Sequence, residues 1–204
     1  DHVMSRVIEL KEVAVCYTKK VSLFRKEKFW ALRDISLQIN RGETLGVIGG
    51  NGAGKSTLLR LLSGILDPDE GTVFRNVRNA SLLTLSLGFL PNLSGRDNAV
   101  LSGILLGKTK KEMRNLLEDV IDFSEIGDAI NDPVRTYSSG MRARLSFATA
   151  LKADPEMILV DELLGVGDLQ FRKKSTQAMK EQISSEKTVV IVSHSDELIK
   201  EVCD

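Results

Sequence analysis

The chain has 204 residues, 42% hydrophobic and 27% charged, which is typical of one globular domain and too short for two independent ones. Basic and acidic residues number 28 each, so no net charge favours nucleic acid or an anionic membrane. The two cysteines, Cys16 and Cys203, lack metal-site spacing and fit a reducing cytoplasm. No apolar run is long enough to cross a bilayer.

The N-terminal part predicts strands that lead into a glycine loop. Loose apolar alternation predicts strands over 7–16 and 32–39, and a turn at 40–43 joins the latter to an apolar strand over 44–48. A helix is predicted from Lys55 to near Gly64, since glycine is a common helix C-cap. Short strands follow around 72–75 and 80–85.

The middle of the chain, from Ser94 to about Asp154, has a helical pattern. Thr109 is placed to cap a helix whose apolar residues recur every 3.6 positions. Unbroken apolar runs at 157–160 and 188–193 are typical of buried parallel strands, with a helix over 169–183 between them. The pattern therefore predicts an α/β core that carries a helical insertion of about sixty residues.

A glycine-rich segment at residues 49–57 lies between the predicted strand and helix, as a phosphate-binding P-loop requires. Its backbone N–H groups can turn toward a polyphosphate, and the helix N-terminus adds its positive dipole end. Lys55 would reach the β- and γ-phosphates, and the Ser56 hydroxyl would bind Mg²⁺. A glycine-rich surface turn is the alternative, which the Lys-Ser pair and the flanking pattern disfavour. The predicted ATP-binding residues of the loop are Gly49, Asn51, Gly52, Ala53, Gly54, Lys55, Ser56 and Thr57.

Two further strands end in residues suited to phosphate chemistry. Asp161 closes an apolar strand, where P-loop proteins hold Mg²⁺ opposite the loop hydroxyl. Glu162 follows and would orient and deprotonate the attacking water, a role worth roughly 10²–10⁴-fold in rate. His194 directly follows the strand over 188–193. Because ligands gather at the carboxyl ends of parallel strands, it is predicted either to donate a hydrogen bond to the γ-phosphate or to hold Glu162 and the water in line.

A second phosphate site is predicted where Ser138, Ser139 and Gly140 lead into a helix. Ser-Ser-Gly at a helix start is by default a plain N-cap. Small residues with free N–H groups at a positive helix end can also bind phosphate. Since one chain needs only one P-loop, the second site suggests service to a partner's nucleotide.

Taken together and in this order, these motifs resemble the ATP-binding subunit of an ABC (ATP-binding cassette) transporter over nearly the full length. The resemblance implies an α/β fold: a P-loop NTPase (RecA-like) core with an antiparallel β subdomain and an inserted α-helical subdomain at 94–154. It implies one ABC ATPase domain over 1–204, with ATP and Mg²⁺ as cofactors. It also implies a head-to-tail dimer in which Ser138, Ser139 and Gly140 act on the ATP of the second copy.

The resemblance adds two residues to the candidate site, and it shows that one residue of the family's site is missing from this chain. Tyr17 stands where an aromatic stacks on adenine, although an ordinary tyrosine at a strand edge remains the alternative. Asp168 stands at the aspartate that communicates between the two nucleotide sites. The family's glutamine between the P-loop and the helical insertion is missing, and Thr84 or Leu85 occupies its place. The signature motif reads Tyr-Ser-Ser-Gly-Met instead of Leu-Ser-Gly-Gly-Gln.

The segments at 29–34, 94–98, 137–148, 161–168 and 171–174 are similar to one branch of the family, which exports O-antigen, capsule or teichoic acid. This resemblance implies integral membrane permease partners, no nucleic acid, and a place on the cytoplasmic face of the bacterial cytoplasmic membrane. The insertion over 19–28 is interpreted either as a segment near the membrane or as a solvated loop. The chain ends inside a predicted helix where relatives usually continue, so we expect it to be truncated at the C-terminus.

Two other classes compete with the exporter. Non-transport ABC ATPases of DNA repair carry a long coiled-coil insertion and a basic surface, and this chain has neither. A GTPase needs an Asn-Lys-x-Asp guanine reader, which is absent here. A P-loop kinase leaves the Ser-Ser-Gly helix unexplained. The sequence therefore favours the ATP-hydrolysing subunit of an ABC exporter of a lipid-linked polysaccharide.

Overall fold

The computed structural model describes residues 6–20, 26–83, 88–161, 168–194 and 199–200. Two short 3₁₀ turns, Gly127–Asn131 and Val134–Thr136, precede the fourth helix. In chain order the strands and longer helices are β1 (Arg6–Lys20), β2 (Lys26–Asn40), β3 (Thr44–Ile48), α1 (Lys55–Ser63), β4 (Glu70–Arg75), β5 (Ala80–Leu83), α2 (Gly95–Leu105), α3 (Lys110–Ser124), α4 (Ser139–Lys152), β6 (Met157–Asp161), α5 (Leu169–Ser184) and β7 (Thr188–Ser193).

A parallel sheet forms the centre of the fold. Within the described ranges its strand order is β3-β7-β6-β5, and all three pairings are parallel. Every residue of β7 and the first four of β6 are buried, which explains why both strands are unbroken apolar runs. The predicted strands over 157–160 and 188–193 are confirmed. Because the strands are parallel, Asp161 and the end of β7 lie at the same edge of the sheet.

A second, antiparallel sheet has the order β2-β1-β4 in the part of the chain that the structure describes. Here the sequence prediction was wrong in extent: β1 continues to Lys20 and β2 begins at Lys26. The 19–28 insertion is therefore partly a strand pair, with Lys19 opposite Glu27, and residues 21–25 lie outside the described residues. The side chains from Lys26 to Phe29 are exposed. A strand pair with no buried face shows no hydrophobic alternation, so the sequence pattern did not predict strands over this part of the chain.

The helices over 95–152 pack around their own apolar cluster, whose members come from α2, α3, α4 and the 3₁₀ turns. The predicted cap of α3 is confirmed as a capping box. Thr109 Oγ1 accepts from the Glu112 backbone N–H, and the Glu112 carboxylate accepts from the Thr109 backbone N–H.

Three phenylalanine rings connect this helical layer to the sheet. Phe123 of α3, Phe147 of α4 and Phe171 of α5 lie with ring centroids 5.9–6.2 Å apart, in one stacked and two edge-on pairs. Phe147 and Phe171 also belong to the apolar cluster that covers β6 and β7. The position of α4 is thus tied to the strands that carry Asp161 and His194.

Candidate nucleotide-binding and hydrolysis site

The P-loop connects β3 to α1 as predicted. The Gly49 N–H donates to the Ser193 carbonyl at 3.3 Å, which joins the start of the loop to the end of β7. Gly54 caps α1 with a φ of +86°, and a Cβ at this position would lie closer than 3.0 Å to the Ala31 carbonyl oxygen of β2. Only glycine fits this close approach of two backbones. The first turn of α1 is held with its free N–H groups and positive dipole end facing the loop.

Lys55 lies on the inner side of this loop. Its Nζ donates to the carbonyl oxygens of Gly49 at 2.5 Å and Gly50 at 2.8 Å. An ammonium group has three N–H donors, so one remains for a phosphate oxygen. The lysine charge is therefore held inside the loop, where the motif predicts a phosphate.

Ser56 and Asp161 meet although they lie 105 residues apart in the chain. The Ser56 hydroxyl donates to Asp161 Oδ2 at 2.8 Å. A hydroxyl next to a carboxylate is a donor set that Mg²⁺ accepts, since Mg²⁺ takes oxygen ligands and completes its octahedron with water and substrate phosphates. These two residues fit the predicted metal site.

A cleft of about 290 Å³ opens over the loop and extends to the antiparallel sheet. Tyr17 is at its edge, 37% exposed, with its hydroxyl 3.4 Å from Thr57 Oγ1. Phe29 also borders the cleft. Sequence reasoning did not assign it to the site, because it lies between the insertion over 19–28 and the strand predicted over 32–39. The lining residues are Tyr17, Phe29, Ala31, Asn51, Gly52, Gly54, Lys55, Ser56, Thr57 and Asp161.

The predicted signature motif forms the N-terminus of α4. Ser138 is the N-cap, and its hydroxyl accepts from the Met141 N–H at 3.1 Å. Ser138 and Ser139 are exposed, while Tyr137 before them is buried and donates its hydroxyl hydrogen to the Ala129 carbonyl. Burial raises the pKa of this tyrosine. The buried ring anchors the turn, so two serines face outward at a positive helix end. They are not among the residues that line the cleft of their own chain.

Asp168 is the N-cap of α5, and its Oδ1 accepts from the Phe171 N–H at 2.9 Å. Its other oxygen accepts from the guanidinium of Arg144, which lies in α4. The backbone N–H bond, with help from Arg144, holds the pKa of Asp168 below its usual value.

Arg144 extends this contact into a small charge network that sequence reasoning missed. Its guanidinium lies 3.4 Å from Glu125 and stacks on the Phe171 ring at 4.9 Å. Lys174 donates to Glu125 at 2.7 Å. The network joins α4, which begins at the predicted signature motif, to Asp168, the predicted communication residue. In the sequence, this network is indicated only by the position of Arg144 within α4.

Some predicted site residues fall outside the described part of the chain. The predicted catalytic base, Glu162, is one of them, and Thr84 and Leu85, at the place of the missing glutamine, are others. His194 is described: it directly follows β7 and is exposed. Since Asp161 pairs with Val192 in the parallel ladder, His194 lies at the same sheet edge as the Ser56–Asp161 pair.

In the part of the chain that the structure describes, none of the helices combines the length and the apolar character that a bilayer span requires.

Comparison with known proteins gives consistent matches. The family model described as ABC transporter matches residues 32–165. The chain is 48% identical over 174 residues to the O-antigen export system ATP-binding protein RfbB of Myxococcus xanthus, covering 85% of this chain and 40% of that protein. It is 45% identical over 179 residues to the teichoic acids export ATP-binding protein TagH of Lactococcus lactis subsp. lactis (strain IL1403), covering 88% and 38%. The chain thus spans less than half the length of these two relatives.

Among solved structures, a similar fold is found in the dimeric structure of MJ0796, a bacterial ABC transporter cassette. It superposes with a TM-score of 0.79 at 25% sequence identity and covers 95% of this chain and 90% of that one. The predicted fold class, an α/β P-loop core with an antiparallel sheet and inserted helices, is confirmed.

Proposed function

This chain belongs to the ABC transporter family, and on that premise we propose that it is the ATP-hydrolysing subunit of an exporter of a lipid-linked cell-surface polysaccharide or teichoic acid. The observation that carries the ATPase assignment is the 2.8 Å contact between Ser56 and Asp161, which pairs the P-loop hydroxyl with the acid of β6. The export assignment rests on the names of the relatives, which are O-antigen and teichoic acid export ATP-binding proteins.

Within one chain the proposed steps follow from the loop and the sheet edge. Lys55 binds the β- and γ-phosphates while the N–H groups at the start of α1 hold the remaining oxygens. Ser56 and Asp161 hold Mg²⁺, which when bound supplies a Lewis acid for the γ-phosphate oxygens. Glu162 orients and deprotonates the attacking water, and His194 donates a hydrogen bond toward the γ-phosphate.

We assign the second half of the site to a second copy of the chain. The exposed Ser138 and Ser139, with Gly140, lie at the N-terminus of α4, where backbone N–H groups are free, and do not border the cleft of their own chain. In a head-to-tail dimer they would close over the γ-phosphate of the partner's ATP. The similar cassette MJ0796 is itself dimeric in its solved structure, which supports this assignment. Binding of two ATP molecules would close the dimer, and hydrolysis would reopen it.

The dimer proposal is tested with two variants of the whole chain. Glu162→Gln should bind ATP but not hydrolyse it, and light scattering should show a dimer with two nucleotides. Adding Ser139→Arg should leave ATP binding to the monomer unchanged and abolish dimer formation, because a long cation then occupies the contact. Ordinary turnover by a Ser139→Arg variant, or full activity of a strict monomer on dilution, would contradict the shared site.

As the binding surface for the membrane partner we propose a groove beside the C-terminal end of α1. A cavity of about 380 Å³ lies between β5 and helices α2 and α4, and its lining includes the exposed residues Ile65 and Leu105. Its wall β5 ends directly before Thr84, where the family's glutamine ordinarily links the site to the membrane subunit. An amphipathic cytosolic segment of the permease, with its apolar face in the groove, matches this surface.

The groove proposal is tested by co-purification with a candidate permease, which is to be sought in the open reading frames beside this gene. Leu105→Glu should lose the permease while keeping ATP-driven dimerisation with Glu162→Gln, because Leu105 is 76% exposed and does not border the ATP cleft. Phe74→Glu, which changes an exposed apolar residue of β4, is the matched control and should retain the permease. The substrate itself is tested in vesicles that hold both proteins, where a polyprenyl-linked glycan should stimulate ATP hydrolysis and the bare lipid should not.

A further inference from the structure

The cleft contains a second exposed aromatic residue besides Tyr17. Phe29 lies directly opposite Tyr17 in the antiparallel β1–β2 pair. Side chains directly opposite each other in such a pair project from the same face, with Cβ atoms about 4.5–5.5 Å apart. Both rings border the cleft, and they are 37% and 58% exposed. An exposed phenylalanine has no polar atom to hydrate, so a surface that keeps one beside a cleft is suited to an apolar ligand face.

The position of Phe29 is fixed with respect to the P-loop. Phe29 and Ala31 are two residues apart on β2, and both border the cleft. The Ala31 carbonyl lies against Gly54 so closely that no Cβ would fit between them. Strand β2 is therefore in contact with the phosphate-binding loop itself. Phe29 therefore lies two residues before the point, Ala31, at which strand β2 is fixed by its contact with the phosphate-binding loop.

From this arrangement we infer that Phe29 binds the nucleotide base, as a second aromatic surface beside Tyr17. A phenyl ring has neither a hydrogen-bond donor nor a positive charge with which to bind a phosphate, whereas it can stack on the π-face that every nucleobase has. The inference rests on the proposed position of ATP, with its phosphates on the P-loop and its base toward the β1–β2 pair. Since stacking does not read hydrogen-bond donors and acceptors, Phe29 strengthens binding of purine nucleotides without distinguishing adenine from guanine.

The test separates base contacts from phosphate contacts. Affinities for a non-hydrolysable ATP analogue, the matching GTP analogue and inorganic tripolyphosphate are measured by calorimetry on the whole chain. Stacking on an aromatic side chain contributes about 1–3 kcal/mol per base, so Phe29→Ala should weaken both analogues roughly 5- to 150-fold. Tripolyphosphate has no base, and its affinity should not change.

Three further variants provide the controls. Phe29→Tyr should retain the wild-type affinity, because it keeps the ring. Phe29→Leu should be as weak as Phe29→Ala or intermediate, and it serves if the alanine variant is poorly folded. Phe74→Ala changes an exposed aromatic residue of β4 that stacks under Arg6 and should leave all three affinities unchanged.

Each unfavourable result points to a different error. If Phe29→Ala binds the ATP analogue normally while Tyr17→Ala binds it weakly, Phe29 is not a base contact and the proposed base position stands. If Phe29→Ala lowers the affinity for tripolyphosphate as much as the affinities for the analogues, the ring stabilises the conformation of the β1–β2 pair and does not contact the base. The inference then fails. If neither Tyr17→Ala nor Phe29→Ala weakens the analogue, both the inference and the proposed base position are wrong.

Discussion

Two glycines of the P-loop differ in a way that allows a sharp test of the loop geometry. Gly52 and Gly54 both have positive φ, +80° and +86°. A Cβ on Gly52 would meet no atom within 4 Å, whereas a Cβ on Gly54 would lie closer than 3.0 Å to the Ala31 carbonyl oxygen and to the Leu32 side chain. Replacement by alanine therefore costs only backbone strain at Gly52, but strain and overpacking at Gly54.

The two costs can be estimated separately. A left-handed conformation of a residue with a Cβ costs about 1–2 kcal/mol. Overpacking against fixed neighbours adds about 1–3 kcal/mol, and here one neighbour is backbone, which cannot rotate away. Gly52→Ala should thus lower the free energy of unfolding by about 1–2 kcal/mol, and Gly54→Ala by about 2–5 kcal/mol.

Urea unfolding of the nucleotide-free protein measures both values. The same pair should also separate in function, because movement of β2 or of the loop away from Gly54 displaces the backbone N–H groups that bind phosphate. Tripolyphosphate affinity should be lost in Gly54→Ala. Equal unfolding free energies for the two variants, together with retained phosphate binding in Gly54→Ala, would refute the close approach between β2 and the loop.

Two other predictions concern the metal site and the cap of α5. Ser56→Ala should lower Mg²⁺-dependent ATP hydrolysis by about 10²-fold, because a Lewis-acid metal contributes several kcal/mol to the transition state. Ser184→Ala, which removes a hydroxyl that donates to the nearby Lys180 carbonyl, is the control. Equal hydrolysis rates for the two variants would exclude the metal role of Ser56. Asp168 has a pKa below its usual value in the folded chain, so its contribution to stability is present above the ordinary aspartate pKa of 3.8 and is lost as the pH falls through the lower folded value. Asp168→Asn should therefore flatten the acid limb of a stability-against-pH curve, and an unchanged limb would show that the folded pKa is not lowered.

The parts of the fold that were predicted correctly are those where one local rule decides the structure. Strands β6 and β7 are buried, so their sequences are unbroken apolar runs that can be recognised directly. Thr109 begins α3 because its hydroxyl and the Glu112 carboxylate cap each other across three residues. The P-loop was found because its glycines, lysine and serine must occur in a fixed order to bind phosphate.

Features that depend on distant parts of the chain were missed. Nothing near Phe29 in the sequence shows that it lies opposite Tyr17, since that pairing is set by the length of the β1–β2 ribbon. The contact between Arg144 and Asp168 joins residues 24 positions apart on two different helices. Phe29 and Asp168 are exposed, so burial leaves no periodic trace of these two contacts in the sequence.

The order of the strands has a consequence for biosynthesis. In the described sheet, β3 pairs with β7 alone, and the Gly42 N–H bonds the Thr188 hydroxyl across 146 residues of chain. While the ribosome is still adding those residues, the strand that carries the P-loop has no neighbour to hydrogen-bond with, and an unpaired strand edge invites aggregation. Ribosome-bound chains halted before β7 should therefore need a chaperone to stay soluble, and ATP protection from proteolysis should arise only after residue 193 has left the exit tunnel.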